Sequence, residues 1–147
     1  MQNEDVIVLI FDMKKDKKIL KKIIENYENP IFYLVIDENI ISLAAEILIS
    51  NGWLGASTVD TLKNVLINNL KNLRKIWAKF AKSIKSDIVL KEFDGNIKKL
   101  LEEKIIYEKI KEIIIPLSKG YNPYWNIVKH ILEEMSKKYI VKVTIIS

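Results

Sequence analysis

The stretch IIIPLSKGYNPYWN, from Ile113 to Asn126, decides how the chain is read: an apolar run stops at a polar loop and a helix start follows. Strand, loop and helix in that order are the layout of a phosphate-binding α/β site, where loop amides and a helix N-terminus face an anion. Asn122 is placed to cap the helix, and Pro123 takes its first position, where a missing N–H costs nothing. The glycines that let backbone close on a phosphate are nearly absent, since Gly120 stands alone in this loop. An α/β fold is expected, with its ligand left open.

Upstream, Val6 to Phe11 (VIVLIF) and Ile31 to Ile36 (IFYLVI) are uninterrupted apolar runs, as parallel strands covered on both faces require. The first ends at Asp12 and the second at Asp37 and Glu38. Between them Ile19, Leu20, Ile23, Ile24 and Tyr27 recur at helical spacing, and Lys14, Lys15, Lys17, Lys18, Lys21 and Lys22 form the wet face until Asn29-Pro30 breaks the helix. Ile40 to Ile49 predicts a second helix, stopped by Asn51-Gly52. Ser57-Thr58-Val59-Asp60 has the spacing of a capping box and opens the longest helix, with the stripe Leu62, Val65, Leu66, Leu70, Leu73, Trp77, Phe80 and Ile84. Asp87 to Phe93 alternates, which suits a strand nearer a sheet edge.

Asp94-Gly95-Asn96 reads as a turn and helix cap before Ile97, Leu100 and Leu101. The fourth strand is Ile113 to Leu117; Ile127, Val128, Ile131, Leu132 and Met135 form the stripe of the last helix, and Ile140 to Ile146 a terminal strand. This alternation predicts a single domain over residues 1–147 with a five-stranded parallel sheet, doubly wound, with helices on both faces.

Composition narrows the function. A chain of 147 residues with 49% hydrophobic content can bury a full core without staples. Its lack of cysteine removes thiolate metal sites, disulfides and cysteine nucleophiles, and the single histidine, His130, rules out a two-histidine metal motif within one chain. Of 24 basic residues only Arg74 is arginine, so the bidentate fork that nucleic-acid readers use is scarce. No apolar run approaches the roughly 18 residues of a membrane span, and the acidic opening MQNEDV fits no signal or transit peptide. A cytoplasmic protein with neither nucleic acid nor membrane as partner is expected. Abundant Ile, Lys and Glu without Cys match the bias of heat-adapted proteins, and an A/T-rich genome produces the same pattern.

Taken together, the strand ending in Asp12, LVIDE from Leu34 to Glu38, NGWLG from Asn51 to Gly55, FDGN from Phe93 to Asn96 and IIIPLSKG from Ile113 to Gly120 resemble the universal stress protein family over essentially the whole chain. The resemblance implies the strand order 3-2-1-4-5. In the family's nucleotide-binding branch it implies a ribose and adenine contact at Asp12 and a backbone adenine contact at Val35. That branch carries G-x2-G-x9-G-[ST] after the fourth strand. Here the first glycine position is Leu117, Ser118 and Lys119 follow, and the second is Gly120; the nine-residue spacer is lost, and Trp125-Asn126 stands where Gly-Ser would align. In this respect the chain is similar to the branch typified by universal stress protein A, which lacks the glycine motif and does not retain ATP.

The expected function is therefore a dimeric binding or regulatory module of the stress response, with a degenerate nucleotide site at Asp12, Val35, Ser118, Lys119 and Gly120, no catalytic residues, no metal and no resident cofactor. The resemblance implies a homodimer through the last strand, Ile140 to Ile146, and an unidentified protein partner. The alternative is an ATP- or AMP-binding protein with weak ATPase or nucleotide-sensing activity. Asp37 and Glu38 could pair for magnesium or acid/base work, but strand-end solvation and helix capping account for them as well. Trp125 is expected to plug the space of the missing phosphate loop, and His130 to be partly packed on its helix. A phospho-receiver reading would use Asp94 as acceptor but meets Met13-Lys14-Lys15 where an acidic pair is needed.

Overall fold

Val6–Ile10 (β1), Ile31–Ile36 (β2), Val89–Asp94 (β3), Glu112–Pro116 (β4) and Lys142–Ile146 (β5) form one sheet in the order β3-β2-β1-β4-β5, each neighbouring pair parallel. The computed structural model describes residues 6–11, 17–28, 30–50, 52, 58–117 and 123–146. The sheet and its strand order are those expected. The apolar runs of β1, β2 and β4 are buried almost throughout, whereas β3 and β5 are half exposed at the two edges. Burial of both faces is what an uninterrupted run of isoleucine, valine and leucine needs, and only central strands provide it.

The helices are Lys17–Asn26 (α1), Glu38–Ser50 (α2), Val59–Ile84 (α3), Ile97–Ile106 (α4) and Pro123–Lys138 (α5). In α1 the residues buried are Ile19, Leu20, Ile23 and Ile24, while Lys17, Lys18, Lys21 and Lys22 are exposed. Each such aliphatic chain contributes roughly 1.5–3 kcal/mol on burial. Helix α2 ends at Ser50; Gly52 in the turn beyond it has a φ of 83°, open to glycine, and its N–H reaches Ile49 O at 3.0 Å. Asn96 caps α4 by accepting from Lys98 N at 2.8 Å, as its sequence predicts.

Two local readings are corrected. Helix α3 is capped by Thr58, whose Oγ1 accepts from Thr61 N at 3.0 Å, one residue later than the Ser57-to-Asp60 spacing predicts. Thr61 Oγ1 also lies 2.8 Å from Thr58 Oγ1, a hydroxyl–hydroxyl contact that orients the cap. In α5 the buried chains are Tyr124, Val128, Leu132 and Met135; Ile127 and Ile131 are only half-buried, and His130 is exposed. The stripe is therefore rotated from the expected one, because Tyr124 begins it.

Right-handed crossovers put α1 and α3 on one face, since the chain winds from β1 through β2 to β3, and α4 and α5 on the other, where it winds back to β4 and β5. The contact of α1 with α3 agrees with this division. Helix α2 packs against both α3 and α5. It leaves the carboxyl end of β2, so it reaches both layers by passing over that end of the sheet. An amphipathic surface helix does not suit that position, and α2 accordingly buries Ile40, Ile41, Ala44 and Ala45.

Candidate functional site at the carboxyl end of the sheet

The winding direction reverses between β1 and β4, and doubly wound sheets bind ligands at such a reversal, beyond the carboxyl ends of the strands. The register shows the two strands parting there. Pairing of β1 with β4 stops at Val8↔Ile114, while β1 continues along β2 to Ile10↔Leu34. Strand β4 instead follows β5 to Pro116↔Ile146, and Leu117 N–H donates to Ile146 O at 2.9 Å. A crevice between β1 and β4 follows from this divergence, with α2 passing over the same end.

The described residues around it are apolar. Phe11, directly after β1, is buried, as are Val35 and Ile36 of β2, Ile115 and Pro116 of β4, and Tyr124 in the first turn of α5. Of the expected site residues, Val35 lies in β2 opposite Phe93 of β3, at the level of the crevice. Asp12, Ser118, Lys119 and Gly120 lie outside the described residues, as do Asn122 and Trp53. Leu117, at the first glycine position, is half-buried against the core, and its amide is committed to β5.

Trp125 is expected to plug a space bordered by residues 118–122, which lie outside the described residues. It is half-buried and lines a groove of about 380 Å³ between α5 and β5, with Leu132, Val143 and Ile145. Its neighbour Tyr124 enters the core. The signal lay in the sequence as the i, i+4, i+8 series Tyr124, Val128 and Leu132, which a reading centred on the glycine motif passes over.

Asp37 is the buried charged residue of the described chain, 5% exposed. Its Oδ1 accepts from Asn39 N at 3.0 Å and Ile40 N at 3.3 Å, and its Oδ2 accepts from Ile97 N at 2.9 Å. One carboxylate thus caps α2 and α4 together, and the positive ends of both helix dipoles favour its charge. Gly95 N–H donates to Ile36 O at 3.0 Å and holds the second helix start beside β2. Glu38 points elsewhere: it is exposed and faces Lys63 Nζ at 3.5 Å. Asp37 and Glu38 therefore do not form a working pair, and no group of three potential metal-ligating side chains occurs among the described residues.

Tyr27 and Lys104 have raised pKa values. At the amino end of the sheet, Glu112 Oε2 accepts from Thr144 Oγ1 at 2.6 Å and from Tyr27 Oη at 3.3 Å. Burial, then the Glu112 charge and hydrogen bond, raise the Tyr27 pKa above its ordinary 10.0. Burial opposes the charge on Lys104, but Glu108 and Tyr33 outweigh it and raise the Lys104 pKa. Among the described residues no helix is long and apolar enough to cross a membrane. Compared with protein-family models and with curated proteins, the chain matches none.

Proposed function

We propose that this chain is a universal-stress-protein-like binding or regulatory module, dimeric, with a degenerate nucleotide site and no strong catalysis of its own. The observation that carries the reading is the engagement of Leu117 N–H by Ile146 O at 2.9 Å. Phosphate loops work by turning consecutive free amides toward an anion. Here the amide at the first glycine position belongs to the sheet, behind a leucine side chain. The parallel sheet in the order β3-β2-β1-β4-β5 also supports the family reading, as does the divergence of β1 from β4.

Dimerisation through β5 is supported by its chemistry. After Lys142 the strand reads Val-Thr-Ile-Ile, with Ile145 49% exposed beside the Trp125 groove. The opposite edge, β3, exposes Lys91, Glu92 and Asp94, charges that keep an edge from pairing. The unidentified protein partner would then bind a surface other than this edge.

Titration calorimetry with magnesium-ATP tests the site. Binding weaker than about 100 μM, or about −5.5 kcal/mol, is expected. A dissociation constant near 1 μM, or about −8 kcal/mol, would replace this reading with that of an ATP- or AMP-responsive protein.

A further inference from the structure

The amino end of the sheet, opposite the crevice, carries the most exposed large apolar side chains of the described residues: Ile140 is 100% exposed and Tyr107 80%. Tyr107 lies in the turn that ends α4, and Ile140 in the turn between α5 and β5. Lys142 N–H donates to Lys111 O at 2.8 Å, which holds the segments after the two turns side by side. Between them runs a groove of about 550 Å³ whose apolar wall includes Ile105, Ile106, Ile110 and Ile140.

Lys109, Lys111 and Lys142 line the same groove, and no carboxylate is among its lining residues. Lys137 and Lys138, in the last turn of α5, are exposed just before it. Of the nearby acids, Glu108 is engaged by Lys104 and Glu112 by Tyr27 and Thr144, while Glu102 and Glu103 lie on the α4 side of Ile106, away from the lysines. Folding gains nothing from a fully exposed isoleucine, and an exposed apolar patch with a polar rim, here lysine on the β5 side, marks an interaction surface. Apolar chains that project from a lysine rim suit an anionic bilayer: isoleucine reaches the acyl boundary, tyrosine rests at headgroup depth, and lysines meet the anionic headgroups. The full projection of Ile140 favours a yielding surface over the preformed pocket of a protein.

We infer that this tip is a peripheral docking surface for an anionic lipid bilayer, entered by Ile106 and Ile140 and held by Lys109, Lys111 and Lys142. Such contact requires no spanning segment, so it is compatible with apolar runs too short to cross a membrane. It concerns the end of the sheet remote from the nucleotide site and does not rest on how that site functions.

The chain has no cysteine, so Ile140→Cys can carry a single environment-sensitive fluorophore, with Lys18→Cys on α1 as control. With mixed phosphatidylglycerol and phosphatidylcholine vesicles, a blue shift is expected at position 140 and none at position 18. Unlabelled protein should sediment with these vesicles, less so as salt rises, and not with phosphatidylcholine alone. The triple variant Lys109→Glu, Lys111→Glu, Lys142→Glu should keep its circular dichroism spectrum and partition at least about ten-fold less. Absence of binding to anionic vesicles would overturn the inference, as would a triple variant that binds like the parent or a shift at position 18 in place of 140. Capture of an acidic amphipathic peptide at position 140 without vesicle binding would overturn it in favour of a protein partner.

Discussion

Lys109 is the described non-glycine residue with positive φ, 55°, at the turn where α4 gives way to β4. Ile110 N–H closes this turn on Lys104 O at 3.1 Å. A side chain in the left-handed region costs roughly 1–2 kcal/mol, while glycine gives back about 0.5–1 through its freedom in the unfolded chain. Lys109→Gly should therefore stabilise the protein by up to about 1 kcal/mol, seen as a higher urea midpoint at unchanged slope. Asp37 is the opposite case. Asp37→Ala removes two helix caps and strands buried amides, and should cost about 3 kcal/mol. Asp37→Asn keeps one acceptor oxygen and should cost roughly half of that. Its equal fit to capping and to acid/base chemistry in the sequence is resolved by the amides of Asn39 and Ile40 and by that of Ile97, which arrives from 60 residues away.

At the scale of elements, the strands were legible because burial on both faces leaves no polar position to confuse the pattern; β2 runs from Ile31 to Ile36 as its apolar run does. Helix starts were less so, since Ser57, Thr58 and Asp60 all favour a cap and only local geometry selects Thr58. The passage of α2 over the sheet was not legible: Ile40 to Ile49 shows that the helix is apolar, not which layers it joins. Of the candidate site, Leu117 was placed at the carboxyl end of β4 by its apolar run, whereas the groove that Trp125 lines was not legible, because a bulky residue beside a loop can turn to either side of its helix. The Tyr27, Glu112 and Thr144 contact ties α1's end to β4 and β5. Because the folded pKa of Tyr27 is raised, its stabilising contribution is complete below pH 10.0 and declines as pH climbs through the folded value. Tyr27→Phe should cost about 0.5–1.5 kcal/mol at pH 7 and make the alkaline loss shallower, which denaturation at stepped pH would measure.

For the whole molecule, the two sheet edges differ in what they allow. The charged β3 edge resists addition of a strand, whereas β5 after Lys142 is uncharged. Ile145→Lys, half exposed and on that edge, should convert the proposed dimer to a monomer in sedimentation equilibrium while leaving the fold intact. A wild-type monomer at high concentration would remove the dimer from the proposal.

The shared cap at Asp37 also bears on how the molecule opens. Because one side chain holds the first amides of both α2 and α4, neither helix can fray at its start without releasing donors of the other. The protons on the Ile40 and Ile97 nitrogens should consequently trade with deuterium at a common rate, as members of one opening unit, although their sequence distance would assign them to separate ones.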